Sequence, residues 1–305
     1  MSQITRRVLH AVVVVFGVTT LVFFVTRVVS DPARLRVAIE ATQEDYEAVR
    51  EELGLDGSIV EQYGDYLAGL TSFDFGESFN QNRPAMEIVA ETLPKTLQLV
   101  VIALPLTVLI STLFGVAAAI RPGGLVDRLL VSTSLVGLSI PPFLVGLLLV
   151  MVFSVRLGWL PTSGTGGLDH LVLPVLTLAL ASIGRLTMMV RSSMIDELSQ
   201  PWIAVAKAKG TRRWRIIGVH ALRNAAVAIT TLAGWELITM LAGYAVIVEY
   251  IFAWPGIGLA ALTAASRQDL PVVQAIVLVM ALIVVGVNLF IDILYRVIDP
   301  RIRTQ

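Results

Sequence analysis

The sequence predicts an all-α integral membrane protein of about six transmembrane helices, with a small helical segment on its outer side. Three observations carry this. Hydrophobic residues make up 56% and charged residues only 15% of the 305-residue chain, with a mean hydropathy of +0.79, whereas a soluble domain carries roughly a quarter charged residues. Apolar windows recur at roughly 9–29, 96–120, 129–155, 171–190, 226–251 and 272–295, each about the length a helix needs to cross a bilayer. Lysine and arginine collect at alternate ends of these windows, the pattern of membrane topology.

The first window follows Arg6-Arg7 and runs from Val8 to Val29. That is too long for a signal-peptide core, and no small-residue cleavage pattern follows, so a retained first helix is expected. With the N-terminus in the cytoplasm, Arg6, Arg7, Arg121, Arg128, the basic run from Arg191 to Arg223, and Arg296, Arg301 and Arg303 all fall inside. The segments 30–95, 156–170 and 252–271 fall outside and hold most of the acidic residues. Both termini are then cytoplasmic. The expected organisation is 1–30 for the N-terminus and first span, 31–95 for the outer segment, 96–295 for a five-helix core containing the inner loop 191–225, and 296–305 for a tail. A formal net charge of zero gives no reason to expect a nucleic-acid partner. Cysteine is absent, which excludes disulfides, thiolate metal sites and cysteine nucleophiles.

In the outer segment, Thr42-Gln43-Glu44-Asp45 reads as a capping box with Asp in the Glu position. Tyr46, Val49 and Leu53 follow at helical spacing, and Gly54 suits the helix end. A second helix is expected through Ile59, Tyr63, Tyr66 and Leu70. The module is either a lid lying on the outer surface or a docking face for an external partner. Asp74-Phe75-Gly76 copies a kinase tripeptide, but no catalytic loop or glycine-rich loop accompanies it. Pro94 and Pro105 fall at the start of and within the second span, Pro141-Pro142 within the third and Pro174 early in the fourth. Bends there are tolerated where neighbours satisfy the freed backbone groups.

The inner loop reads as two short basic helices. Pro201 suits a first helical turn. Trp202, Val205, Ala206 and Lys209 share a face, with Ala204 and Ala208 beside them; Gly210 stops the helix and Thr211 caps the next, through Trp214, Ile217 and Leu222. Three readings are open: a DNA-binding helix pair, which the adjoining spans argue against; a basic loop that only sets topology; or a knob for a groove on a cytoplasmic protein. For the knob, small residues allow close approach and Trp202 would anchor.

Ala204-Val205-Ala206-Lys207-Ala208-Lys209-Gly210, with His220-Ala221-Leu222-Arg223-Asn224-Ala225, resembles the EAA loop of bacterial ABC import permeases, most closely the dipeptide, oligopeptide and nickel branch. Further matches run the length of the chain: Ile4-Thr5-Arg6-Arg7, Leu53-Gly54-Leu55-Asp56, Asp74-Phe75-Gly76 with Ser78, Thr92-Leu93-Pro94, Ile140-Pro141-Pro142-Phe143, Trp159-Leu160-Pro161, Ile247-Val248-Glu249, Trp254-Pro255-Gly256-Ile257-Gly258-Leu259 and Asp299-Pro300-Arg301-Ile302. Their order and spacing together are specific. Two departures stand out: the general pattern has Glu where Ala204 stands and Pro where Arg223 stands.

The resemblance implies a type I importer permease fold in a bacterial cytoplasmic membrane. The loop helix would couple to two cytoplasmic ATPase subunits, a sister permease would complete the pathway, and a substrate-binding protein would deliver peptides or similar solutes. ATP and Mg would be bound by the partners, with no cofactor and no metal in this chain. A P-loop needs Gly-Lys, and none of Lys95, Lys207 and Lys209 follows a glycine. Glu236 is a candidate pathway or permease-interface residue, because a carboxylate at membrane depth needs water or a partner. Pro141 and Pro142 are further pathway candidates, and Trp254-Pro255-Gly256 is a tight outer turn under the binding protein. Glu249 is expected to reach the outer interface, Asp292 to pair with Arg296 one turn on, and Gly234, Ala242 and Gly243 to permit close packing. The alternative class is a stand-alone secondary transporter or channel, for which an internal repeat would speak. An intramembrane enzyme is disfavoured, since His10, His170 and His220 all lie at or beyond span ends.

Overall fold

A computed structural model describes residues 3–29, 33–34, 37 and 42–298. Apart from one isolated bridge between Glu77 and Pro84, regular structure among these residues is helical. Two compact units are distinguished, residues 1–95 with 255–286 and residues 96–254 with 287–305.

In the first unit, α1 (Gln3–Val29) is the first expected span. Its residues Val12, Val13, Val14 and Phe16 are exposed apolar side chains, as a lipid-facing surface requires. Helix α2 (Gln43–Glu52) begins in the predicted capping box, with Thr42 and Asp45 exchanging bonds; Leu53 ends it, and Gly54 takes the left-handed backbone just beyond. Helix α3 (Ile59–Ser72) opens on a second capping box, Ser58 with Glu61. It packs against α1 through its aromatic face. The Tyr66 hydroxyl donates to the Thr19 carbonyl of α1 at 3.1 Å, Tyr63 meets Thr20 at 2.9 Å, and Phe23 packs against both rings, stacked on Tyr66 and tilted to Tyr63. Its aromatic face thus packs along the span, and burial pushes the Tyr66 hydroxyl up to about 12. A core of Ile88, Val89, Ile257, Val272 and Ile276 joins the first turns of α4 (Ala85–Ala119) to α10 (Ile257–Ser266) and α11 (Leu270–Ile298).

In the second unit, α7 (Asp169–Leu198) is the central helix and packs against α5 (Leu125–Ser139), α6 (Pro142–Arg156) and α9 (Arg213–Ile251). The third window is not one through-going helix. The legs α5 and α6 meet at 99°. Ile140 and Pro141 each precede a proline, which drives both out of the helical region; they sit at ψ 121 and 142. By length and composition α4, α7, α9 and α11 can each cross a membrane, and the bent pair is either a broken fifth span or a re-entrant loop. Pro94 lies well inside α4, which starts earlier than the second window. Glu249 does not reach an interface: it is fully buried and accepts from the Thr96 hydroxyl at 2.5 Å. Gly234 packs close, since a Cβ there would come 2.3 Å from Ile291, but nothing approaches Gly243 and Ala242 is exposed. The side chains of Asp292 and Arg296 lie outside the described residues.

Candidate functional site

The inner loop forms α8 (Pro201–Ala208) and the start of α9. Pro201 occupies the first turn, where its missing N–H costs nothing. Gly210 adopts φ +73, and this left-handed turn lets Gly210 N–H donate to the Lys207 carbonyl and Thr211 N–H to the Ala206 carbonyl. These two bonds close the helix in a Schellman motif. The second short helix of the loop is not separate: it is the first turns of α9, which continue into the fifth span through a π-helical stretch, Ile216–Ala221. Its N-cap is Arg212, not Thr211.

Ala204, Val205, Lys207, Ala208, Lys209 and Gly210 are exposed, while Ala206 is half-buried. Trp202 turns the other way. It packs on a core of Leu186, Val190, Met194 and Ala221, edge-on to His220 with ring centres 6.3 Å apart. Trp202 therefore fixes α8 to the bundle, and the outward apolar side chain is Val205, 55% exposed. Beside α8 a cavity of about 610 Å³ opens between Ala119, Ile195, Leu198, Ile203, Lys207 and Ile217.

A second polar group sits inside the bundle. Glu236, on α9, is 2% exposed, and Arg185, on α7, places its Nε 3.1 Å from Glu236 Oε1, an ion pair without the alignment of a hydrogen bond. Arg185 Nη2 donates to the Tyr244 hydroxyl at 2.8 Å. Tyr244 closes a π-helical stretch, Met240–Tyr244, whose wider turn sets where its side chain leaves the helix. Ser182 lies beside the carboxylate. Among the described residues, neither Glu236 Oε2 nor the Ser182 hydroxyl has a hydrogen-bond partner.

Pro141 and Pro142 form the α5–α6 elbow rather than part of this group. Trp254 is buried, its N–H bonded to the Glu249 carbonyl at 2.9 Å. Pro255 is exposed, and Gly256 is the N-cap of α10. Of the proposed outer turn, only Pro255 is presented.

Reasoning from sequence missed Arg185, Asp127 and Asp269. Arg185 stands in the middle of the fourth apolar window, and a lone cation there calls for a counter-charge at the same depth; Glu236 in the fifth window was that signal. Asp269, 2% exposed, accepts from the Ser78 hydroxyl at 2.5 Å, from Phe79 N–H at 2.9 Å, and from Asn80 through its backbone and its amide.

This fold and these sites define a multi-spanning helical membrane protein with an exposed helix held between spans. Residues 111–304 match the family described as "Binding-protein-dependent transport system inner membrane component", and residues 1–100 match its N-terminal counterpart. The chain belongs to this family. It is 38% identical to the oligopeptide transport system permease protein AppB of Bacillus subtilis, over 99% of each chain. It is 36% identical to the glutathione transport system permease protein GsiC of Escherichia coli K12, again over 99% of each. Among solved structures it is similar to the MetNI methionine ABC transporter in inward-facing conformation, with a TM-score of 0.59 at 17% identity, over 70% of this chain and 97% of that one; this likeness concerns the fold. The protein is thus a multi-pass inner-membrane permease component.

Proposed function

We propose that this chain is one of two permease subunits of an ATP-driven importer of peptides or similarly small solutes. The observation that carries the reading is α8: a short, basic, small-residue helix between two spans, capped by Gly210 and exposing Val205. An exposed apolar side chain on a rigid loop is suited to a partner's groove. The partner is a cytoplasmic ATPase, present twice in the complex and holding ATP with Mg. A sister permease completes the pathway, and a binding protein delivers cargo from outside. The naming of AppB and GsiC supports peptide-sized cargo.

In this reading both termini and the basic segment 191–225 are cytoplasmic. Ala204, Val205, Ala206, Lys207, Ala208, Lys209 and Gly210 form the coupling surface, and Trp202 anchors it from within. Closure of the ATPases on nucleotide moves α8, and its packing on α7 and α9 carries the motion to the bundle as a two-state rocking. Glu236 belongs to the pathway as the enclosed counter-ion of Arg185, which borders it. The Pro141-Pro142 elbow shapes the pathway, and the turn at Trp254, Pro255 and Gly256 meets the binding protein through Pro255.

Gentle affinity purification from the native membrane, with mass spectrometry of what accompanies the chain, tests this. A sister permease with P-loop ATPases is expected. A lone chain or self-oligomer, under conditions that keep other such complexes whole, would instead favour a secondary transporter.

A further inference from the structure

We infer that Arg185 is a specificity-determining residue that receives the carboxylate of the cargo as it crosses the membrane; this rests on the pathway reading of Glu236. The guanidinium has five N–H donors in a rigid fork and cannot lose its charge. Along one edge, Nε faces Glu236 Oε1 and Nη2 donates to Tyr244. The Tyr244 bond orients the group and Glu236 balances its charge. The end of the fork, Nη1 with the second proton of Nη2, meets no acceptor among the described residues, and a third of the side chain is open, at 33%. A guanidinium at this depth does not face lipid; it faces a water-filled path or a partner.

The free end of an arginine held from the side matches a carboxylate in geometry and charge. A linear peptide ends in a carboxylate. Glu236 is almost fully enclosed, so it serves as the counter-ion that holds Arg185 and does not contact cargo. It also limits the strength of the station: a fully unpaired arginine would hold an anion too tightly to release it, whereas a neutralised one offers directed hydrogen bonds with little net charge. A site of this kind distinguishes a free acid from its amide without trapping either.

The test uses the whole importer with its binding protein, reconstituted in liposomes with ATP, and two probes: tri-alanine and tri-alanine amide. In Arg185→Gln, uptake of the acid is expected to fall about 10-fold and that of the amide less than about 2-fold, the loss of a charge-assisted hydrogen bond. Because Arg185→Gln leaves Glu236 buried without its counter-ion, the neutral double variant Arg185→Gln with Glu236→Gln is measured beside it and should show the same selective loss. Arg185→Lys should retain part of the preference for the acid. Equal loss of both probes in the double variant, with the complex intact, overturns the inference. So does release of the sister permease from the neutral variants but not from Arg185→Lys, which would assign the facing carboxylate to the partner subunit. Absence of ATP-dependent uptake of both probes by the unaltered complex would overturn the peptide reading itself, and this inference with it.

Discussion

Asp127 and Arg191, 64 residues apart, meet as a two-pronged ion pair: Nε to Oδ1 at 2.5 Å and Nη2 to Oδ2 at 2.8 Å. The same carboxylate accepts the Gly123 N–H at 2.7 Å, so one side chain joins the turn before α5, α5 itself and α7. Asp127 is 4% exposed and Arg191 24%. Asp127→Asn should lower stability by about 1–3 kcal/mol, because a partly exposed cation loses two charge-assisted hydrogen bonds. Arg191→Lys should also destabilise, though its charge is kept, because the planar fork is lost. Thermal unfolding of the purified chain in detergent checks both; an unchanged midpoint in Asp127→Asn would show the pair to be idle.

Asp269 organises the loop from Ser78 to Asn80 by accepting side-chain and backbone bonds together. Asp269→Asn replaces an acceptor-only group by one whose amide faces donors, so about 1–3 kcal/mol should be lost locally. Amide hydrogen exchange of residues 76–84 should rise by about 10-fold or more. Protection equal to that of the unaltered protein would mean the loop is held by other contacts.

The capping boxes predict a pH response. Helix α2 has no buried residue, so its ends carry much of its order. Hydrogen bonds from the Thr42 hydroxyl and N–H hold Asp45 below the ordinary carboxylate value, and bonds from Ser58 do the same for Glu61. Such groups stabilise the fold above their unfolded-state values, and the contribution fades as pH falls through the lower folded-state values. Amide exchange in α2, corrected for intrinsic rate, should therefore increase between about pH 5 and pH 3. Thr42→Ala should show the increase already at neutral pH.

The coupling surface yields a functional prediction. Ala206→Glu or Gly210→Glu should leave the complex assembled while uptake falls and ATP hydrolysis continues. Gly210→Glu also strains a backbone that only glycine adopts freely, at about 1 kcal/mol, so Ala206→Glu is the cleaner variant. Normal uptake in Ala206→Glu would remove α8 from the coupling role.

Glu236→Gln should change transport without dissolving the complex, if Glu236 belongs to the pathway as the counter-ion of Arg185. Loss of the sister permease on purification would make the carboxylate a structural group instead.

How much of the fold and site was legible in the sequence depends on the range of each signal. Span positions were, because a run of apolar residues is a local property. The Thr42 capping box and the Gly210 stop were legible for the same reason: each is completed within a few residues. The 99° elbow was only half-legible. Pro141-Pro142 announced a bend, but its size depends on how α5 and α6 each pack on α7. The pairs Asp127–Arg191 and Ser78–Asp269 were not legible, since no periodicity links positions 64 or 191 residues apart. The inward turn of Trp202 was hidden too. An aromatic beside small residues fits an anchor on either face, and only the neighbouring core decides which.

The two π-helical stretches of α9 have a bearing on rotation. Each accommodates its residues in wider turns than the α-helix around it, so each resets the angular phase of the helix beyond it. Between His220, against Trp202, and Tyr244, against Arg185, the helix is clocked by these stretches as much as by its length. Removing one residue from the α-helical run between the two stretches, Leu222–Thr239, would turn one end of α9 by about 100° against the other. Tyr244 would leave Arg185 although every other side chain was retained. The alignment of the loop helix with the buried ion pair is therefore stored in helical phase, and a one-residue deletion there should do more harm than a substitution at any of the same positions.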